Sequence, residues 1–552
     1  MSKYAIGIDF GTLSARALVV DVSDGTELYS AVSEYEHAVI DEYLPTGRKL
    51  PPDWALQHPR DYLISMKEAI KGAIEGSGVD PKDIIAAGVD FTSSTLIPVL
   101  RDGTPLCFLP EYENEPLAYA TLWKHHGAQK YASLMTEHAM VRGDEFLLRY
   151  GGKISSEWSM PKIWQVLEEA PEIYAKCNRF AEAGDWIVLQ LTGNITHNAC
   201  MAGYKYFWSK RDGYPENEFY TQLDERLDLV MERKVGGDIS PLGSLAGYVT
   251  EYAAKEYGLP EGIAVCVSNI DAHASVPAAG VLEDGLMVMI MGTSTGHLLL
   301  SKKDAFIPGV CGCVDGGIIP GFNSYEAGQS CVGDHFDWFV HNCVPESYEI
   351  EAREKGVNLH ELLTQKAEKQ RPGESGLLAL DWWNGNRSVL VDADLTGLML
   401  GMTLQTKPED IYRALIEATA YGTRKIIENY EEHGAKVSTI IASGGVAKKN
   451  PMLMQIYADV CQREIKIVKT NQAPALGSAI YACVAAGKER GGYDDIYEAV
   501  LKMGGVNSTV YRPDLENSRI YDELYKQYVI LHDLFGRGAN DVMKVLKGIK
   551  AR

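Results

Sequence analysis

The sequence predicts an α/β protein with mixed sheets, on three observations. Short apolar runs of strand length alternate along the whole chain with segments whose apolar residues recur at helical spacing. One apolar run stops at a Gly-Thr turn, Gly11-Thr12, and a second stops in the same manner at Gly292-Thr293. The chain has 552 residues, 46% of them apolar and 23% charged, which is enough for two or more domains with ordinary cores. That composition excludes disorder, collagen-like repeats and a small disulfide scaffold.

The elements follow in order. Lys3 to Phe10 is a mostly apolar run that reads as a buried strand entering the turn at Gly11-Thr12. Ala17 to Asp21, the Asp24-Gly25 turn and Leu28-Tyr29 follow at the spacing of an antiparallel meander. Between Arg60 and Glu75, residues Tyr62, Leu63, Met66, Ile70 and Ile74 share one helical face. Ile84 to Val89 is the next strand, ending in Asp90-Phe91-Thr92-Ser93-Ser94, and Ile263 to Val267 is another, broken by Ser268-Asn269-Ile270-Asp271. A second unit then opens with Gly285 to Met291 and the turn Gly292-Thr293-Ser294-Thr295-Gly296. Aligning Gly11-Thr12 with Gly292-Thr293 superimposes strand, turn and small hydroxyl residues, and sets Asp9 opposite Ile290. The second copy therefore lacks the acid. The boundary is placed near Leu282-Glu283-Asp284, giving domains 1–282 and 283–552.

Charge and cysteine content narrow the function classes. Lys plus Arg is 53 and Asp plus Glu is 75, a formal charge of −22. Such a surface repels phosphate backbones and speaks against nucleic-acid binding. A neutral, hydroxyl-rich small molecule is not repelled, and a nucleotide can still enter a dipole-lined cleft. Ten cysteines without a dense framework read as reduced thiols. The Cys311/Cys313 pair has no second pair at zinc-ligand spacing and reads as small buried hydrophobes. The first residues begin a strand at once, and no apolar run approaches the roughly 20 residues that span a bilayer. A cytoplasmic protein with no membrane partner is expected. The Lys/Arg-bearing tail after Asn540 reads as a solvated helix face.

Three motifs carry chemistry. At Asp9-Phe10-Gly11-Thr12-Leu13-Ser14-Ala15-Arg16 the glycine lets backbone approach a phosphate closely. The Thr12 and Ser14 hydroxyls can hold its oxygens, and Asp9 is placed to hold Mg²⁺ beside them; an Asp that caps its own turn is the alternative. The Gly292-Thr293-Ser294 turn repeats the arrangement. In Thr439 to Pro451 an apolar strand runs into Gly444-Gly445 before a helix, where a flat group such as adenine can lie against backbone; an ordinary helix-entry loop is the alternative. Neither a P-loop nor a Rossmann glycine pattern is present.

Taken in order, Ile6 to Arg16, Ser268 to Ser275, Met291 to Gly296 and Ser443 to Pro451 resemble the FGGY family of carbohydrate kinases. That family lies within the actin/Hsp70/hexokinase superfamily. Gly397 to Thr403, leading to Ile411 to Ala418, is similar to the family's C-terminal signature. The runs Leu122-Trp123-Lys124-His125-His126 and Trp382 to Arg387 resemble the branch that phosphorylates L-ribulose, although Gly385-Asn386-Arg387 stands where the family usually has Gly-Glu-Arg. The resemblance implies two actin-like (ribonuclease H-like) domains with mixed sheets around a central cleft, and a Mg²⁺/ATP-dependent ketopentose kinase. It implies Asp271 as the base and a sugar pocket of Ser93, Trp123, Lys205, Glu326 and Asp271. It also implies ATP contacts from Gly11, Thr12, Ser14, Arg16, Gly292, Thr293, Ser294, Gly444, Gly445 and Asn450, a metal held at Asp9, and a homodimer. A kinase for another sugar or polyol such as xylulose, and an ATP-switched binding protein of the Hsp70 or actin kind, stay open as alternatives.

Overall fold

The structure is a computed structural model that describes residues 2–550. Its chain divides into two compact units. The first is Met1–Leu282 with Gly312–Ser324 and Gln472–Gly505; the second is Glu283–Cys311 with Tyr325–Asn471 and Val506–Arg552.

In the first unit the main sheet is built from β1 (Tyr4–Phe10), β2 (Ser14–Asp21), β3 (Glu27–Glu34), β4 (Ile84–Phe91), β5 (Leu245–Tyr248), β6 (Ala264–Cys266) and β7 (Asn269–Ile270). The order is β5-β6-β4-β1-β2-β3, with β7 also on β4. The strands β1, β2 and β3 form the expected antiparallel meander, while β1, β6 and β7 lie parallel to β4. All eight residues of β4 are buried, as its unbroken apolar run requires when both faces are covered. One face is covered by α1 (Pro59–Ser77), which buries Tyr62, Met66, Ile70 and Ile74 and ends at Gly78 with φ 67°. The rings of Phe10 and Phe91 stack at 4.8 Å, with Tyr62 edge-on to Phe91 at 4.9 Å. These rings form a rigid floor under the loops that follow β1 and β4.

The helix Ala473–Ala486 covers the other face, which a single cut at 282/283 does not anticipate. A Cβ on Gly7 would meet the Ala475 carbonyl oxygen at 1.8 Å, and one on Gly88 the Ser478 carbonyl oxygen at 2.0 Å. Only glycine in β1 and β4 allows this helix to lie so close. In packing, residues 472–505 and 312–324 lie with the first unit, across the 282/283 boundary expected from the sequence.

Also in the first unit, a small sheet joins Leu56–Gln57, Ala120–Thr121, Leu96–Val99 and Arg179–Glu182. Three further helices matter for the site: α2 (Ser159–Glu169), α3 (Ala199–Lys205) and the short α4 (Asp271–Ala274).

The second unit repeats the plan with β8 (Leu286–Met291), β9 (Thr295–Ser301), β10 (Asn323–Gln329, from Tyr325 on in this unit), β11 (Thr439–Ser443), β12 (Ile465–Val468) and β13 (Val506–Tyr511). Their order is β10-β9-β8-β11-β12-β13. As in the first unit, the opening hairpin is antiparallel, the next two strands are parallel to its first strand, and an antiparallel strand closes the series. Both sheets have the actin-like order. Where Asp9 pairs with Asp90 in the first sheet, Ile290 pairs with Ser443 in the second.

The C-terminal helix Val542–Lys550 has an exposed basic side, as expected, and two of its lysines also make ion pairs there. Lys544 pairs with Asp392 at 2.7 Å, and Lys547 reaches Asp394 and the Ala393 carbonyl, each at 2.9 Å. Among the described residues no helix is long and apolar enough to cross a membrane.

Candidate active site

The carboxyl ends of β1, β4 and β7 gather the acids of the first unit. Strands β1 and β4 run parallel and in register, so Asp9 lies directly beside Asp90 and Asn269 lies on the far side of Asp90. Asp90 is fully buried. Burial holds its carboxyl well above the ordinary carboxylate range, and the negative charges of Asp9 and Asp271 add to the effect. Asp9 is also pushed up by burial, against the opposing pull of Arg16, whose Nη1 is 3.4 Å from Asp9 Oδ2. The two carboxyls are coupled, and Asp90 is the one held further towards its neutral form. The Ser478 hydroxyl donates to Asp90 Oδ2 at 2.6 Å.

Asp90 was not among the sequence-derived site residues, yet its signal was present. Gly7-Ile8-Asp9-Phe10 and Gly88-Val89-Asp90-Phe91 are the same pattern on neighbouring strands.

Asp271 follows directly from β7 and opens α4, half-buried, its Oδ1 accepting the Ala272 N–H at 2.7 Å. The apolar strand expected before it is interrupted, since β6 stops at Cys266 and pairing with β4 resumes at Asn269–Ile270. Three polar atoms at these strand ends are buried without a hydrogen-bond partner: Asp90 Oδ1, Asn269 Nδ2 and Arg16 Nε. Buried polar atoms are almost always paired, so a cluster of orphans at one mouth marks a polar ligand site.

Two loops flank this mouth. In the first, Gly11 N–H donates to the Ser14 carbonyl at 3.0 Å and closes the turn between β1 and β2. The Trp123 indole N–H donates to the Thr12 hydroxyl at 3.1 Å, and the buried Gln57 donates to the Thr12 carbonyl at 2.7 Å. The expected phosphate turn and the expected sugar-facing indole are thus joined. In the second loop Ser93 is half-buried after β4, and Ser94 has φ 51° with its hydroxyl unpartnered.

Lys162, on α2, is wholly buried and ties the loops together. Its ammonium donates to the Ser94 and Leu122 carbonyls, each at 2.7 Å. Burial lowers it to about 7, while the Glu182 carboxylate pulls it back up. Glu182 accepts from the Ser159 and Tyr206 hydroxyls at 2.6 Å each. Lys205, buried at the end of α3, stands 5.8 Å from the Tyr204 ring centroid and adds its charge to the field on Lys162. Reading the sequence missed Lys162 and Glu182. A lone Lys or Glu in an amphipathic stretch reads as a surface residue until packing covers it.

In the second unit, Gly292 N–H donates to the Ser294 carbonyl at 2.9 Å, closing a turn one residue shorter than that at Gly11 and Ser14. The N-terminal residues of α5 (Gly333–Cys343) lock the turn from behind, since Gly333 N–H donates to the Gly292 carbonyl at 3.0 Å. Gly444 has φ 100°, and a Cβ there would meet the Met291 carbonyl oxygen at 2.3 Å. Backbone at Gly444-Gly445 therefore passes close to the end of β8 before entering α6 (Gly445–Lys449). Asn450, expected to touch nucleotide, caps α7 (Pro451–Cys461), with its Oδ1 accepting the Leu453 N–H at 3.0 Å. Glu326, read as lying in a Gly-rich stretch, is a half-buried residue of strand β10. Its unit differs from that of Ser93, Trp123, Lys205 and Asp271.

This fold and these strand-end carboxylates define a sugar kinase, and the chain belongs to the FGGY family of carbohydrate kinases. Residues 4–276 match that family's N-terminal domain and 287–486 its C-terminal domain. The chain is 54% identical over 551 residues to a ribulokinase of Halalkalibacterium halodurans, covering 100% of this chain and 98% of that one. It is 49% identical to a ribulokinase of Mycolicibacterium smegmatis, covering 100% and 97%. Among solved structures, xylulose kinase from Rhodospirillum rubrum matches with a TM-score of 0.78 at 20% identity, covering 96% of this chain and 98% of that chain. Gluconate kinase from Lactobacillus acidophilus matches with a TM-score of 0.78 at 17% identity, covering 98% and 99%. At that identity the structures speak for the fold.

Proposed function

We propose that this kinase transfers the γ-phosphoryl group of ATP to the terminal hydroxyl of L-ribulose, giving ribulose 5-phosphate and ADP in the breakdown of L-arabinose. The observation that carries the reading is full-length identity of 49–54% to ribulokinases, with Asp271 standing beside the Asp9/Asp90 pair at the strand ends.

Asp271 accepts the proton of the sugar hydroxyl as its oxygen bonds to the γ-phosphorus, while the bond to the β,γ-bridging oxygen breaks and ADP leaves. Ser93, Trp123, Lys205 and Glu326 are assigned to the remaining sugar oxygens and C–H surface. The nucleotide contacts are assigned to Gly11, Thr12, Ser14 and Arg16 in the first unit and to Gly292, Thr293, Ser294, Gly444 and Gly445 in the second. Asn450 acts there through the helix it caps. Asp9 and Asp90 offer hard oxygen donors of the type Mg²⁺ prefers, and Asp9 would hold the ion. When bound, the ion neutralises charge on the phosphate oxygens. The protein is read as a cytoplasmic homodimer.

A coupled ADP-release assay over a panel of ketopentoses and polyols tests the reading. Turnover is expected to be fastest with L-ribulose, and silence across the panel defeats it. Asp271→Asn should bind ATP and sugar but lose about 10²–10⁴ in kcat. Near-normal turnover in that variant removes Asp271 from the role.

A further inference from the structure

The first unit contains a second cavity, about 250 Å³ in volume, lined by the strand Arg179–Glu182 and the helix Ala183–Thr192 that follows it. Its lining is richer in cationic groups than the chain's formal charge of −22 would lead one to expect. Arg101, Arg179 and Arg233 all contribute. Arg233 is neutralised by Asp228 at 2.9 Å. Among the described residues no salt bridge within 4 Å is made by Arg101 or Arg179, and the main opposing charge on Arg179 is that of Asp185.

The two carboxylates in the lining balance these arginines only in part, Asp185 acting on Arg179. Asp185 is engaged by the Ser268 hydroxyl at 2.7 Å, by Asn198 Nδ2 at 3.2 Å and by His197 Nδ1 at 3.3 Å. Glu182 is held towards its neutral form by burial. Two further side chains in the lining carry buried atoms without a hydrogen-bond partner: His197 Nε2, on a residue 3% exposed, and Thr196 Oγ1. Trp186 and Leu189 supply an apolar wall. Guanidiniums, an imidazole nitrogen, a hydroxyl and an apolar wall are the parts of a small-metabolite pocket.

We propose that this cavity is a second ligand site for a small anionic metabolite, a phosphate monoester or a carboxylate. Arg101 and Arg179 meet the anion, and His197 Nε2 and Thr196 Oγ1 meet adjoining hydroxyls. The site communicates with the sugar loops through Glu182, which lines the cavity and accepts the Ser159 hydroxyl of α2 at 2.6 Å, the helix whose Lys162 ammonium holds the Ser94 and Leu122 carbonyls. An anion beside Glu182 favours its neutral form and weakens its hold on that helix. The communication rests on the kinase reading; the binding itself does not.

Calorimetric titration of the full-length protein, without nucleotide, with inorganic phosphate, ribose 5-phosphate and succinate tests the site and separates the sources of the anion. Saturable millimolar or tighter binding of at least one probe is expected. Arg179→Gln should raise its Kd at least about tenfold while leaving kcat and KM in the absence of anion unchanged. His197→Gln, which leaves the guanidinium in place, should weaken binding several-fold and carries the test if Arg179→Gln does not fold. No saturable heat from any probe, or binding that survives Arg179→Gln at equal affinity, overturns the site. In wild type a saturating anion should shift the KM for L-ribulose by about threefold, and Arg179→Gln should abolish the shift. Binding without that shift overturns the communication alone. Absence of turnover with every sugar would defeat the kinase reading and leave the calorimetric result standing.

Discussion

At the scale of single residues, the chemistry turns on which carboxyl keeps its proton. Asp90 is covered on both faces of the sheet and sits between the charges of Asp9 and Asp271, so the folded state binds a proton that the unfolded chain releases above its ordinary value of 3.8. A group whose folded value is raised costs stability as pH climbs above its unfolded value. Replacing it with a neutral residue that still donates to Asp9 removes the cost. Asp90→Asn should therefore melt at or above the wild-type temperature at pH 7.5, with the difference shrinking as pH falls towards 4. A difference that widens in acid would contradict a neutral Asp90; thermal melts across the pH series decide it.

At the scale of elements, α2 and the helix Ala473–Ala486 each perform one definable task. Through Lys162, α2 clamps the loops that carry Ser93 and Trp123. Lys162→Met leaves two buried carbonyls without their donor, which costs about 1–3 kcal/mol and frees both loops. The KM for sugar should rise about tenfold, with a smaller change in kcat. The proton balance gives a second readout. Because Lys162 is lowered from 10.5 to about 7, the folded state holds fewer protons than the unfolded chain between those values. Wild type should gain stability relative to Lys162→Met as pH rises from 7 to 10.

The helix Ala473–Ala486 depends on bare backbone beneath it. Gly7→Ala places a methyl group 1.8 Å from a carbonyl oxygen, so helix or strand must shift. A loss of about 1–3 kcal/mol, read by denaturant unfolding, is expected. An unchanged midpoint would mean that the helix yields freely.

For the whole molecule, the surface left unpaired concerns association. The helix Val542–Lys550 pins its lysines to Asp392 and Asp394 but leaves Val545, Leu546 and Ile549 each more than half exposed. The homodimer proposed above is assigned to this apolar stripe. Sedimentation should show a dimer that Leu546→Glu converts to monomer with turnover retained; a wild-type monomer at micromolar concentration would remove the homodimer from the reading.

Much of this was legible in the residues alone. The two Gly-Thr hairpins, the strand at Ile84, the helix at Arg60 and Asp271 after a strand all announce themselves, because strand, turn and helix periodicities are local. So does the repeat of Gly-x-Asp-Phe in β1 and β4, although its meaning needs the register that sets Asp9 beside Asp90. What the sequence by itself determined is therefore the α/β class, the duplicated hairpin and the family. Only the tertiary structure decided that residues 472–505 return to the first unit, that Lys162 and Glu182 are buried under the sugar loops, and that Asn450 spends its amide oxygen on a helix cap. Local pattern reports what one segment prefers. Burial, register and the protonation of a buried carboxyl are set by residues distant in the chain that packing brings within a few ångströms.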